Sequence, residues 1–144
     1  MAICAQGLDE TPALIQNRDA HAWNILLPRD PGKGRVYLLA WQTYPPWISA
    51  QDLVYHITLF WYPELRRLME TALLDRYYQS PGGACGVEDF TRDALLIDYR
   101  LSVMRCLYVP AIHGGNLDTA WLWWPQLQNV MAAFEDLDCA ELHK

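Results

Sequence analysis

Two short runs, "AWNILLP" at 22–28 and "RVYLLAWQ" at 35–42, are dense in branched and aromatic residues. They flank "RDPGKG", whose proline and paired glycines are strong turn signals, so the pattern predicts a β-hairpin. "TYPPWIS" (43–49) then reads as a rigid loop. Ser49 followed by Asp52 resembles a capping start, which places a helix over about 50–62, aromatic on several faces and therefore buried. Pro63 suits the first turn of a new helix. Leu65, Leu68, Met69, Ala72, Leu73 and Tyr77 recur at helical spacing until "SPGG" ends it, giving an amphipathic surface helix. Phe90, Ala94, Ile97, Leu101, Met104 and Tyr108 form the clearest stripe, with Arg92, Asp93 and Arg100 opposite and Pro110 closing the element. A last helix is expected over about 125–137, with Leu127, Val130, Met131, Phe134 and Leu137 toward the core. The pattern contains no internal repeat and no low-complexity tract. The expected fold is mainly α: a small N-terminal β-hairpin followed by about four helices that must cover it, since a hairpin cannot form a core alone.

Composition narrows the class. At 144 residues the chain reads as one domain, long enough to bury roughly two thirds of its unfolded surface. Apolar residues make up 52% and charged residues 19%, which is globular rather than disordered. The net charge of −6, with Lys33 and Lys144 the only lysines, argues against nucleic acid as a partner, because a phosphate-tracking surface needs cations that outweigh the acids. Cys4, Cys85, Cys106 and Cys139 lack zinc-site or redox spacing and read as reduced thiols. With no leader pattern and no run of roughly 18 apolar residues, the expectation is a cytoplasmic protein without a membrane span.

"QNRDAHAWNILLP" (16–28) concentrates the candidate chemistry. Asp19 and Asn24, five apart on a loop, suit a carboxylate that accepts a proton from a substrate hydroxyl and an amide oxygen that holds a divalent cation, as in kinases. Turn or capping roles explain the same two residues, and for the isolated spacing they are the commoner explanation. The larger pattern adds to this. "RDAHAWNILLPRDPGKGRVYLLAWQ", "AQDLVYHITLFWYPELRRLMETALLDRYYQ", "DYRLSVMR" and "AAFEDLDCAEL", in that order, resemble the C-terminal lobe of the aminoglycoside phosphotransferase family, which has a protein-kinase-like fold. The likeness covers about residues 10–141.

The resemblance implies that Asp19 is the catalytic aspartate, Asn24 the metal-binding asparagine and Asp52 the acid that holds the catalytic loop's backbone. It implies ATP and Mg2+ as cofactors and a small-molecule hydroxyl as acceptor. His21 matches a histidine common in close relatives and is assigned no chemistry. Glu88, Asp89, Asp93 and Asp98 are loose candidates for acceptor recognition, equally explained as solvated helix faces.

Three departures bear on activity. Asn17 and Arg18 replace the His-Gly that usually precedes the catalytic aspartate, which puts the loop geometry in question. Ala40 stands in "LLAWQ" where the family has a metal-binding aspartate, and a methyl group cannot hold magnesium. Only 18 residues precede Asp19, with Gly7 the one glycine and no lysine, so the phosphate-gripping N-terminal lobe is absent from the sequence. Lys33 in "PGKG" reads as part of a plain turn. Losing one electrostatic stabiliser costs ~10²–10³ in rate. The expectation is therefore a truncated, pseudokinase-like phosphotransferase lobe, inactive alone. Two other readings stand beside it: a non-catalytic interaction module, and a gene remnant that folds without selected activity. The surface left uncovered near the hairpin and "TYPPWIS" predicts a homodimer or a partner protein. Trp121, Trp123 and Trp124 read as packing for the last helix, with a ligand-stacking platform as the alternative.

Overall fold

The computed structural model describes residues 4–5, 13–15, 17, 19–41, 46–48, 50–80, 90–114 and 116–143. The fold is mainly helical, with its short strands gathered toward the N-terminus. Strands β1 (Cys4–Ala5), β2 (Ala13–Ile15) and β5 (Pro46–Ile48) form an antiparallel sheet in the order β1-β2-β5. Strands β3 (Ile25–Leu26) and β4 (Tyr37–Leu38) form the expected hairpin, pairing Ile25 with Leu38 and Leu26 with Tyr37. Its turn is local chemistry: Asp30 accepts from the Gly32 N–H at 3.1 Å, and the Lys33 ammonium lies 3.3 Å from the same carboxylate. Lys33 is thus occupied with the turn. Gly34 is required by close approach, because a Cβ there would lie 2.3 Å from the Pro28 Cβ. Within "TYPPWIS" the structure has β5 rather than a plain loop; Thr43, Tyr44, Pro45 and Ser49 lie outside the described residues.

The helices are α1 (Gln51–Phe60), α2 (Pro63–Gln79), α3 (Arg92–Cys106), the short α4 (Tyr108–His113) and α5 (Ala120–Asp136). Pro63 opens α2 as expected, and the Ser80 hydroxyl closes it by donating to the Tyr77 carbonyl at 2.7 Å. Thr91 caps α3 by accepting from the Ala94 N–H at 3.0 Å. Helix α1 packs against α3 and α5, and α4 against α5. The core lies between them: Val54, Ile57 and Leu59 of α1, Leu74 of α2, Leu95, Tyr99, Val103 and Cys106 of α3, and Val130 and Ala133 of α5. No helix among the described residues is long and apolar enough to cross a membrane. Cys106 and Cys139 are free, buried thiols, and burial pushes Cys106 up to about 12; Cys85 lies outside the described residues.

Three sequence expectations are corrected. The predicted α3 stripe faces the core only in part: Phe90 and Met104 pack against it, but Ile97, Leu101 and Tyr108 are exposed while Leu95, Asp98, Tyr99, Ser102, Val103 and Cys106 are buried. A count of apolar residues rejects that buried face because Asp98 and Ser102 lie on it. Pro110 does not close the element either: the chain turns at Leu107, and Pro110 sits in the first turn of α4, where its missing N–H costs nothing. The last helix starts five residues before Pro125, continuing directly from a 3-10 turn (Leu117–Thr119) that Asn116 caps by accepting from the Asp118 N–H at 2.9 Å. Of its expected core residues, Val130 is buried, Leu127, Phe134 and Leu137 are half-buried, and Met131 is exposed. Gln126 and Asn129 are buried instead. Trp121 and Trp124 are largely exposed, so they do not pack the helix against the bundle; Trp123 donates to the Asn116 carbonyl at 2.9 Å.

Helix α2 shows a similar shift. Leu73 and Tyr77 of the expected stripe pack against the core, but Leu65, Leu68 and Met69 are exposed, and Arg66 and Glu70 are buried in their place. Arg66, 1% exposed, donates to both Glu70 carboxylate oxygens at 2.9 Å and to Asp136 of α5. Tyr99 of α3 donates to Glu70 Oε1 at 2.7 Å. Burial raises the Tyr99 pKa and keeps that hydroxyl protonated, so that it remains a donor. Asp136 also accepts from Arg67, and that bond holds its carboxyl below the usual range. Breaking a buried ion pair from one side is severe because the remaining charge keeps its desolvation cost. Arg66→Met should therefore lower the unfolding free energy by about 3–5 kcal/mol in urea titrations. Arg67→Ala, which removes the exposed partner of the same carboxylate, should move the midpoint far less.

Candidate functional site

The loop between β2 and β3 carries the sequence-predicted residues, and the structure brings Asp19 and Asn24 into direct contact. A 3-10 turn over Ala22–Asn24 folds the chain back so that the Asn24 N–H reaches the His21 carbonyl at 2.9 Å. The Asn24 amide nitrogen donates to the Asp19 carbonyl at 2.8 Å and to Asp19 Oδ2 at 2.9 Å. With the nitrogen committed to Asp19, the amide oxygen is directed away from it.

His21 lies between the two residues. Its Nε2 is 3.2 Å from the Asn24 amide nitrogen and 3.5 Å from Asp19 Oδ1. Nδ1 is buried and has no hydrogen-bond partner among the described residues. The ring packs edge-on against Trp23 and beside Phe60, with centroids 5.4 and 5.8 Å away. Tyr55 of α1 places its hydroxyl 3.5 Å from Asp19 Oδ1. Burial, followed by the Asp19 charge, pushes that phenol up to about 12, so it faces the carboxylate as a donor.

Asn17 holds this loop to the rest of the molecule, although the sequence alone marked it as a disturbance. It is fully buried. Its backbone N–H donates to Asp52 Oδ2 at 2.5 Å, so the carboxylate in the first turn of α1 grips the loop backbone. Its amide nitrogen donates to the carbonyls of Leu39 and Ala40 at 2.8 and 3.2 Å, and its Oδ1 accepts from the Asp19 N–H at 3.1 Å. One side chain thereby joins the Asp19 loop to the exit of β4. The only clue in the sequence was the chemistry of a primary amide, which both donates and accepts and can bridge two backbones. Arg18 lies outside the described residues.

At the exit of β4, Ala40 has φ 61°. A left-handed backbone costs a residue with a Cβ roughly 1–2 kcal/mol, and Asn and Asp tolerate it best. The two Asn17 bonds at Leu39 and Ala40 help to set this conformation. Among the described residues there is no group of three or more His, Cys, Asp or Glu side chains able to hold a metal ion. Of the acceptor candidates, Asp93 is exposed in the first turn of α3 and Asp98 is buried on its inner face; Glu88 and Asp89 lie outside the described residues.

His56 supports the loop from below. Its Nδ1 is 3.0 Å from the Ala20 carbonyl, which can only accept, so His56 is the donor there. Burial holds its pKa below the ordinary 6.5, opposed by this hydrogen bond and reinforced by His21. The unfolded chain then binds more protons near pH 6 than the folded one. The contribution of His56 is complete above pH 6.5 and is lost as pH falls through that value toward the lowered one.

Two outcomes follow. Asn17→Ala strands the Leu39 and Ala40 carbonyls and the Asp19 N–H, and should cost about 2–3 kcal/mol by chemical denaturation. In melts across pH 7.5 to 5, the wild type should lose stability relative to His56→Gln, which keeps an N–H donor and does not titrate; parallel curves would contradict the assignment.

Comparison with protein-family models, with curated proteins and with solved structures found no match to this chain.

Proposed function

We propose that the chain is the C-terminal lobe of a small-molecule phosphotransferase of the aminoglycoside phosphotransferase type, impaired for catalysis because Ala40 replaces the second metal-binding acid. The observation that carries this reading is that Asn17 joins Asp19, itself bonded to Asn24, to the backbone at Ala40. A carboxylate and an amide in contact on one loop, with the loop tied to the strand exit where a second acid is due, are the parts a kinase uses to orient a hydroxyl and hold nucleotide-bound metal. Asp52 gripping the loop backbone, and the left-handed Ala40, favour the same reading.

In this scheme Asp19 accepts the proton of the acceptor hydroxyl. Tyr55 and Asn24 orient it: each places a donor against a different oxygen of the carboxylate, at 3.5 and 2.9 Å. The donor set does not fit a complete magnesium site, since Mg2+ in such enzymes is held by one or two carboxylates together with the substrate phosphates. Here the amide oxygen of Asn24 remains and the Ala40 methyl contributes nothing, so no step is assigned to the metal.

The test is a thermal-shift titration with ATP, with and without magnesium, on the wild type, Ala40→Asp and Ala40→Asp/Asn24→Ala. Restoring the acid should produce a magnesium-dependent rise of a few degrees, about 1.4 kcal/mol at ten times Kd. Removing Asn24 should abolish it. If Ala40→Asp is as insensitive to MgATP as the wild type, the phosphotransferase reading fails.

A further inference from the structure

The hairpin is apolar on both faces. Ile25 and Leu38 pair across the strands and are half-buried, whereas the next pair, Leu26 and Tyr37, is 51% and 58% exposed. Leu27 and Val36 beyond them, which strand alternation turns to the side of Ile25 and Leu38, are exposed as well. An isolated two-stranded hairpin in water normally turns polar side chains to the solvent side, so the composition of this outer face calls for a cover.

A second apolar face lies on the far side of the sequence. Leu117, Trp121, Trp124 and Met131 follow one another by four, three and seven positions, and all are exposed, Leu117 by 84% and Trp121 by 70%. Trp121, Trp124 and Met131 share one side of α5, and Leu117 continues it in the 3-10 turn just ahead of the helix. Tryptophan is among the residues most enriched at binding hot spots.

The charges around the two faces are opposite. The hairpin carries Arg29, Lys33 and Arg35 against a single acid, Asp30, which is already paired with Lys33. Residues 114–142 contain no lysine or arginine, and exposed Asp118 and Glu135 bracket the α5 stripe.

We propose that the occupant of each face is a second copy of this chain: the basic apolar hairpin of one protomer docks on the acidic tryptophan stripe of α5 in the other, and a two-fold axis makes the contact twice. Two reciprocal contacts close the assembly as a dimer and leave neither face exposed. The arrangement does not depend on the nucleotide reading, and its test uses no nucleotide.

Light scattering at a chain concentration of about 100 µM, well above the Kd of a specific dimer, should give the mass of two chains. Raising the salt should weaken the dimer, since its flanking charges are exposed. Leu26→Glu in the hairpin and Trp121→Glu in the stripe should each raise the dimer Kd by at least ~30-fold, because each substitution removes a hot-spot side chain from both copies of the contact. Leu68→Glu, at the exposed apolar face of α2, should leave it unchanged. Circular dichroism melts of all three variants verify that they fold, which is expected because the substituted side chains are 51%, 70% and 76% exposed. A one-chain mass for the wild type would overturn the proposal, as would a dimer that survives either face variant or one that Leu68→Glu dissociates equally.

Discussion

A single guanidinium with almost no access to water organises the helical part of the molecule. Arg66 is held by Glu70 on its own helix and by Asp136 on α5, and Glu70 is held in turn by Tyr99 of α3. Such a cluster favours helix positions that bring the four side chains together, because Arg66, Glu70 or Tyr99 left unpaired would carry the cost of a buried charge or hydroxyl. The apolar contacts of Leu74, Leu95, Val103 and Val130 then fill the volume that those positions define. Helix α1, packed on α3 and α5, inherits its place from this arrangement, and with it Asp52, Tyr55 and His56.

The loop that bears Asp19 is thus held at three points from a rigid helix. Asp52 takes the Asn17 N–H, His56 takes the Ala20 carbonyl and Tyr55 faces the Asp19 carboxylate. Asn17 adds the link to β4. The result is a short irregular segment whose backbone polar groups have partners on defined elements, which is how loops come to hold side chains in fixed geometry. A loop so constrained keeps its shape whatever chemistry its side chains still support.

Much of the architecture was legible in the sequence. "RDPGKG" announced the hairpin, and Pro63 announced the start of α2, because turn chemistry and proline act locally and do not wait for tertiary partners. The proximity of Asp19 and Asn24 was legible as a spacing within one loop. The buried faces of α2, α3 and α5 were legible only in part, through residues such as Leu73, Met104 and Val130. Hydrophobic periodicity treats Arg66, Glu70, Asp98, Ser102, Gln126 and Asn129 as solvent-facing, and it is the inter-helix hydrogen bonds of residues such as Arg66 and Asn129 that take polar side chains inward. Strands of two or three residues such as β1 and β2 fall below the length at which alternation can be read. Asn17 was weighed as a lost histidine, when its value lay in contacts to residues 22 and 35 positions away.

Ala40 separates two kinds of information that a sequence merges into one letter. Its side chain is a methyl group that can coordinate nothing, while its backbone, at φ 61°, adopts a left-handed conformation that costs an alanine and that Asn or Asp tolerates better. The Asn17 bonds beside it come from a distant part of the chain, so exchanging the side chain at position 40 does not erase the dihedral. A left-handed alanine at a strand end therefore marks a position whose torsion angle is set by its neighbours rather than by its own side chain.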